Sequence, residues 1–423
     1  MFSRTRRLIA ITFLLSFSAV LVSTESFSQV IARITVDVSA SSFATPVRLS
    51  LDEISPDPDS VLDLVELAGN TRVQTPFQVE HNFGRTLWWL LPATNNANTK
   101  QRIFELSKKA KPGTNPSSIT VSTASGALVI ANGNKNILQY NFNTWYPPSG
   151  VDTVFKKSGF IHPVWTPSGH ELTRVNPPDH YHHYGIWNPW TKVKFKGRTV
   201  DFWNLKSKQG TVRFADFIDT EEGQVYGGFK ALQKHVIFGE NGSEQYPLNE
   251  VVEVKAYNLG NNVWLWDFVS TLNCATQDSV ILMEYRYGGY GFRATEEWTN
   301  KNSRILTSEG KTRKEADSAV ARWGLIEGDL KGDHGGIVFM SHPANYNFPE
   351  PTRVWPENAN NNRGDVFFSF SPTRDKNWVL KPGKNYVLRY RMLVYDGTLS
   401  AAQAEQAWKG FAIPPKMTVK LVK

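Results

Sequence analysis

The sequence predicts a mainly β protein: a large antiparallel β-sandwich preceded by a small β-sandwich domain, with few helices. Three observations carry that reading. Apolar and polar residues alternate with a period of two in runs spread along the chain, as where Ile34, Val36 and Val38 flank Thr35 and Asp37. Aromatic residues make up 13% of the 423 positions, 14 of them Trp, and large aromatics favour strands. Helix signals are scarce, so the alternating βαβ units of a Rossmann or TIM architecture are not expected.

The elements follow in order. Arg4, Arg6 and Arg7 precede the mostly apolar run Leu8 to Val22, and Ser26 and Ser28 lie at −3 and −1 of a cut after Ser28. That pattern predicts a secretory signal peptide over residues 1–28, because the apolar run falls short of the ~20 residues of a spanning helix. The mature protein is therefore expected in the periplasm or outside the cell, with no stable membrane insertion. A short helix is predicted from Ser60 to Leu67. Residues 93–118, rich in polar, Pro and Gly positions, mark a boundary between a small domain over 29–110 and a large one over 111–423. In the large domain, Ile119 to Thr123 and Ala127 to Ile130 form a hairpin across Ser125-Gly126, and Asn132-Gly133-Asn134 turns the chain into Ile137 to Phe142. Val263 to Val269 is a longer strand with aromatics on one face, and Tyr386 to Val394 alternates again. Near the end, Ser400 and Gln403 make a capping box ahead of a helix over Ala404 to Lys409, with Gly410 and Pro414 as stops.

Composition excludes several functions. Removing residues 1–28 takes away three Arg and one Glu and lowers the formal charge from +8 to +6. Lys and Arg form no run of five or six, so no nucleic-acid groove is expected. Cys274 is the single cysteine, which leaves no internal disulfide, zinc finger or redox pair. Neither a GxxxxGK[ST] phosphate loop nor a GxSxG nucleophile elbow occurs.

The chemistry concentrates in one stretch. Five of the nine histidines, His162, His170, His180, His182 and His183, lie within 22 residues. In a strand His180 and His182 share one face and His183 the other, while a bulge brings all three together. Neutral imidazoles move protons near pH 7 and also bind metals, so three uses are open: a hydrogen-bonded cluster, a proton-transfer site, or one divalent metal held by His180, His182 and His183. The further metal donors are Asp179, Asp201, Glu284 and His342. Trp165, Trp187, Trp190 and Trp203, with Asp201 and Tyr181, suit stacking and hydrogen bonding of sugar rings.

A second constellation, Met283 to Arg293, places Glu284 and Arg286 on one strand face and Arg293 beside glycines, as an acid or base and an anion clamp. A third, Gly335 to Asn345, delivers His342 and Asn345 at the end of an apolar strand.

These segments together resemble a bacterial family known under a methane-oxygenase (PmoA) label. The residues that carry the resemblance are His162 to Gly169, Asp179 to Trp187, Val200 to Trp203, Gly291 to Ala294, Gly336 to Asn345 and Leu388 to Gly397, and they span roughly residues 155–397. The resemblance implies an exported protein of carbohydrate-utilisation systems. It does not imply methane oxidation, which needs spanning helices that this chain lacks after its leader. The β pattern is also similar to the supersandwiches of the galactose-mutarotase type, whose site lies on a concave sheet face lined by His, Glu, Arg and Trp.

The expected protein is thus a carbohydrate-active hydrolase or lyase with His180, His182, His183, Glu284, Arg293 and His342 at its centre. Tyr181, Trp187, Trp190, Asp201, Trp203, Arg286 and Asn345 would bind substrate. In a lyase an imidazole or Tyr181 removes the proton α to a uronic carboxylate while Arg293 neutralises the developing charge. In a hydrolase Glu284 and Asp201 are the acid and base pair. The alternatives are a non-catalytic glycan-binding protein and a metal-dependent enzyme.

Overall fold

The computed structural model describes residues 29–422 apart from 83, 95–98, 110–116 and 261, so the predicted leader lies outside the described residues. The chain is mainly β, with every ladder antiparallel and one α-helix among the described residues. Two large sheets face each other. One is eight-stranded and runs in the order Gly210–Glu221, Tyr226–Phe238, Glu244–Tyr257, Val263–Cys274, Tyr386–Asp396, Asp333–Ser341, Trp323–Leu330, Ser303–Thr307. The other is nine-stranded, and its middle is Phe367–Phe370, Gly291–Arg293, Ile186–Trp187, Phe160–Val164 and Lys135–Asn141.

Alternation decides which side chains lie between them. Trp264, Trp266 and Phe268 join Tyr390, Met392 and Val394 in the sandwich interior, while Leu265, Leu393 and Tyr395 point to the opposite face and a second apolar cluster with Trp408. The eight-stranded sheet is therefore covered on both faces, which is why Val263–Val269 reads as an almost continuous apolar run. The hairpin of Ile119–Ala124 and Ala127–Asn132 turns at Ser125 and Gly126, both with positive φ (52° and 83°), as a two-residue hairpin turn requires.

Two smaller sheets carry the N-terminal part. Thr45–Ser50, Gly84–Leu91 and Phe77–Asn82 form one. Gln29–Asp37, Gln101–Lys108, Leu62–Ala68 and Thr71–Gln74 form the other, which the chain's last strand, Met417–Leu421, joins beside Gln29–Asp37. Ile34, Leu64, Trp89 and Phe104 are buried between the two.

Two helix expectations change. Ser60 to Leu67 is not helical: a 3-10 turn at Asp59–Val61 leads into the strand Leu62–Ala68, paired with Gln101–Lys108 on one side and Thr71–Gln74 on the other. The C-terminal helix forms with its Ser400–Gln403 capping box, but spans Ala401–Ala412 and runs through Gly410. At that position a Cβ would stand 3.0 Å from Thr45 Oγ1, so the glycine serves close packing on a strand rather than the termination expected of it.

Candidate functional site

The histidine-rich segment folds as a turn rather than a strand. Pro177 and Pro178 favour extended backbone, and Asn176 enters at φ 46° with its Nδ2 donating to the Tyr181 carbonyl at 2.5 Å. Backbone bonds from His180 to Pro177 (2.9 Å) and from His183 to His180 (3.0 Å) wind the chain tightly. Gly185, at φ 63°, leads into the strand Ile186–Trp187; a Cβ there would sit 2.4 Å from the Ile161 carbonyl oxygen, so only glycine lets the turn lie against Phe160–Val164.

This winding brings all three imidazoles together. The rings of His180 and His183 stack at 4.8 Å, His182 stands edge-on 4.8 Å from His183, and Trp355 lies 4.7 Å from His180. Beneath them is an apolar floor of Trp187, Trp203, Trp355 and Phe367.

Arg293, 1% exposed on the central strand Gly291–Arg293, is the electrostatic hub. Its Nη2 donates to Asp179 Oδ1 (2.9 Å) and to Asp365, its Nη1 lies 3.4 Å from His183 Nδ1, and its guanidinium covers the Trp355 ring at 4.8 Å. Asp365 also accepts from Arg363 and from Asn360 Nδ2. Asp179 Oδ2 in turn bonds His180 Nδ1 at 2.9 Å. Burial alone would raise the Asp179 carboxyl, but the His180 bond and the Arg293 charge override it and hold it at about 2. Burial, together with neighbouring imidazoles and Arg293, lowers His182 to about 4 and His183 well below the usual imidazole range. Both rings are neutral at pH 7.

The predicted residues divide. His180, His182, His183 and Arg293 assemble, and Tyr181 stays on the same turn with its ring 5.7 Å from Phe155. Trp187, Trp190 and Trp203 are at most 3% exposed, so their faces pack on protein and offer no sugar platform; Trp190 belongs to the sandwich interior, 6.1 Å from Trp378. Asp201 closes a local turn, accepting from the backbone N–H of Trp203 (2.7 Å) and Asn204 (2.8 Å). Glu284 and Arg286 lie on exposed non-strand backbone, and no hydrogen bond, ion pair or ring contact among the described residues joins either to the imidazoles. The shared strand face expected for them does not form. Asn345 is buried as a turn holder, bonded to Glu350 Oε1 (2.8 Å) and to the Arg389 backbone. His342 lines a separate cleft with Arg389 and Phe411.

Sequence reasoning missed Asp365, Trp355 and Phe367, which reach the turn from about 180 positions away and carry no local signal. Exposed Trp145 (39%), 6.2 Å from the His162 ring, was missed as well, and Tyr146 beside it is 61% exposed.

Among the described residues no group of three or more His, Cys, Asp or Glu side chains has the geometry to hold a metal ion. The stacking of His180 on His183 and the insertion of Arg293 between Asp179 and Asp365 keep the donor atoms from converging on one point. The three-histidine metal site that the sequence left open is thus not found among the described residues.

A family model matches residues 127–409, about two thirds of the chain, and contains the whole His–Arg–Asp cluster. The chain belongs to the family of unknown function DUF6807. The description of DUF6807 carries no activity, methane oxidation included. No curated protein matches this DUF6807 chain. Among solved structures it is similar to a protein in glycosyl hydrolase family 38 from Enterococcus faecalis, at TM-score 0.45 and 9% identity, over 93% of this chain and 47% of that one. It is also similar to an α-mannosidase from Enterococcus faecalis V583, at TM-score 0.40 and 11% identity, over 93% of this chain and 46% of that one. The chain thus spans about half the length of each.

Proposed function

We propose that this DUF6807 protein is an exported carbohydrate-active lyase in which His180 moves the proton. The observation that carries the reading is the Asp179–His180 pair. An ionised Asp179 accepts from Nδ1, so in the neutral ring Nδ1 carries the hydrogen and Nε2 the lone pair. The His180 side chain is 38% exposed, so the ring meets solvent, where a substrate would approach it. Arg293 is already shared between two carboxylates and acts as a positioning residue that fixes Asp179, not as the clamp for a substrate anion.

The carboxylates favour elimination over hydrolysis. Asp201 is engaged in its turn and Asp365 is 2% exposed, so a pair of free carboxyl groups flanking a glycosidic bond is not assembled around the imidazoles. Elimination needs one base: Nε2 takes the proton α to a uronic carboxylate, the carbon–oxygen bond to the next sugar breaks, a carbon–carbon double bond forms, and the departing oxygen takes a proton from solvent. Exposed Trp145 and Tyr146 offer a sugar platform near His162. The leader pattern of residues 1–28 supports export.

The test incubates the mature protein with uronate polysaccharides and follows the absorbance of the unsaturated product. Activity should fall by ~10²–10⁴-fold in His180→Ala. New reducing ends without a double bond would replace the lyase by a hydrolase. Saturable binding without any product would support the glycan-binding alternative.

A further inference from the structure

We infer that the cleft between the N-terminal sheets and the eight-stranded sheet binds an acidic saccharide through Arg48 and Arg389. The cleft shares no lining residue with the His180 turn, and the inference does not depend on that turn's chemistry. Its volume is about 850 Å³, within the ~300–1,000 Å³ of small-molecule sites. Arg48 comes from the strand Thr45–Ser50, Arg389 and Arg391 from one face of Tyr386–Asp396, and Phe411 from the C-terminal helix.

Charge accounting singles out two side chains. Arg391 is held by Asp267 through two bonds of 2.6 and 2.9 Å, and Lys255 by Glu80 at 2.6 Å and Glu253 at 3.3 Å. Arg48 lies over the Trp88 ring at 5.6 Å, and neither it nor Arg389 has an ion pair or a side-chain hydrogen bond among the described residues. Burial and the charge of Arg48 lower the basicity of Arg389, and the charge of Glu253 only partly opposes them. Two guanidiniums that line one cavity with neither paired to a carboxylate repel each other, and an oxyanion seated there relieves the repulsion through forked, charge-assisted hydrogen bonds.

The remaining groups fit a sugar better than a bare anion. His342 Nδ1 accepts the Ala344 N–H at 3.1 Å, so Nε2 carries the hydrogen and is a further donor on the same wall. Asp267 and Glu253 are acceptors for hydroxyl groups, and Phe411 and Trp88 supply apolar surface. The ligand class is a saccharide bearing a carboxylate or sulfate group.

Titration calorimetry on the mature protein tests this with trigalacturonate as probe, maltotriose as the neutral control and sodium sulfate as the bare anion. Measured in the His180→Ala protein, where the probe is not turned over, trigalacturonate should bind, weaken with added salt, and lose at least about tenfold in affinity when Arg48→Ala or Arg389→Ala is added. Arg48 is exposed, so should Arg389→Ala unfold, Arg48→Glu decides alone. Absent binding, or binding that survives the arginine variants, overturns the inference. Sulfate binding as tightly as the saccharide would remove the sugar from it.

Discussion

Two buried acidic clusters show how differently one fold treats a carboxyl group. Asp365, 2% exposed, sits among Arg293, Arg363 and Asn360, and shares Arg293 with Asp179. Glu350, 0% exposed, meets only neutral donors: Ser341 Oγ at 2.5 Å, Asn345 Nδ2 at 2.8 Å and Tyr390 OH at 2.9 Å. Burial pushes Glu350 up to about 7 and its hydrogen bonds only partly oppose that, whereas a cation and an imidazole hold Asp179 at about 2. Depth alone therefore does not set the charge of a buried acid. The cluster with a cation keeps charge inside the protein and orients an imidazole beside solvent; the cluster without one holds its proton up to about pH 7.

Removing the cation should break this contrast most severely. Arg293→Met leaves Asp179 and Asp365 facing each other without their shared guanidinium, and an uncompensated buried charge costs ~3–5 kcal/mol. Urea unfolding at pH 7 reads the loss. A loss below about 1 kcal/mol would mean that Arg363 and Arg174, the latter 3.7 Å from Asp365, carry the charge balance unaided.

The neutral cluster makes the opposite prediction. The folded Glu350 holds its proton up to about 7, above the ordinary value of 4.5, so its stabilising contribution is complete below pH 4.5 and is lost as the pH rises through 7. The difference amounts to about 3 kcal/mol at pH 8. Glu350→Gln should remove that decline, leaving a variant as stable as the parent at pH 4 and more stable at pH 8. Parallel pH–stability curves for the two proteins would show that Glu350 is ionised inside the fold.

The same contrast between local and distant causes explains what could be read beforehand. The alternation around Ile34 and Val38, the turn at Ser125-Gly126 and the capping box at Ser400 are short-range signals, and each formed as expected. Ser60 to Leu67 failed because Val61, Leu64, Val65 and Ala68 fit a helical stripe as well as a strand, and pairing with Gln101–Lys108 decided between them. The imidazole cluster was legible because its members are neighbours in the chain. Its setting was not, since Asp365 and Trp355 arrive by sheet topology. Glu284 and His342 were grouped with it on residue type, and the fold places one on an exposed segment and the other in the cleft of Arg389.

The smallest effect on stability, and the most informative about the turn, belongs to Asp179→Asn. Asp179 is ionised with a folded value of about 2 against 3.8 for the free group, so its contribution is present above pH 3.8 and is lost as the pH falls through 2. The variant should unfold ~2 kcal/mol more easily at pH 6 and match the parent near pH 1.5, a slope opposite in sign to that of Glu350. An Asn side chain at this site can keep a hydrogen bond to His180 but no longer attracts Arg293, which remains paired with Asp365. If Asp179 serves to fix the His180 tautomer, the proposed lyase turnover should drop far more than stability does, because the amide can present its N–H to Nδ1 and move the imidazole hydrogen to Nε2. Proton-detected NMR of the His180 ring would read that tautomer directly, and an unchanged tautomer with unchanged turnover would remove Asp179 from the mechanism while leaving its electrostatic role intact.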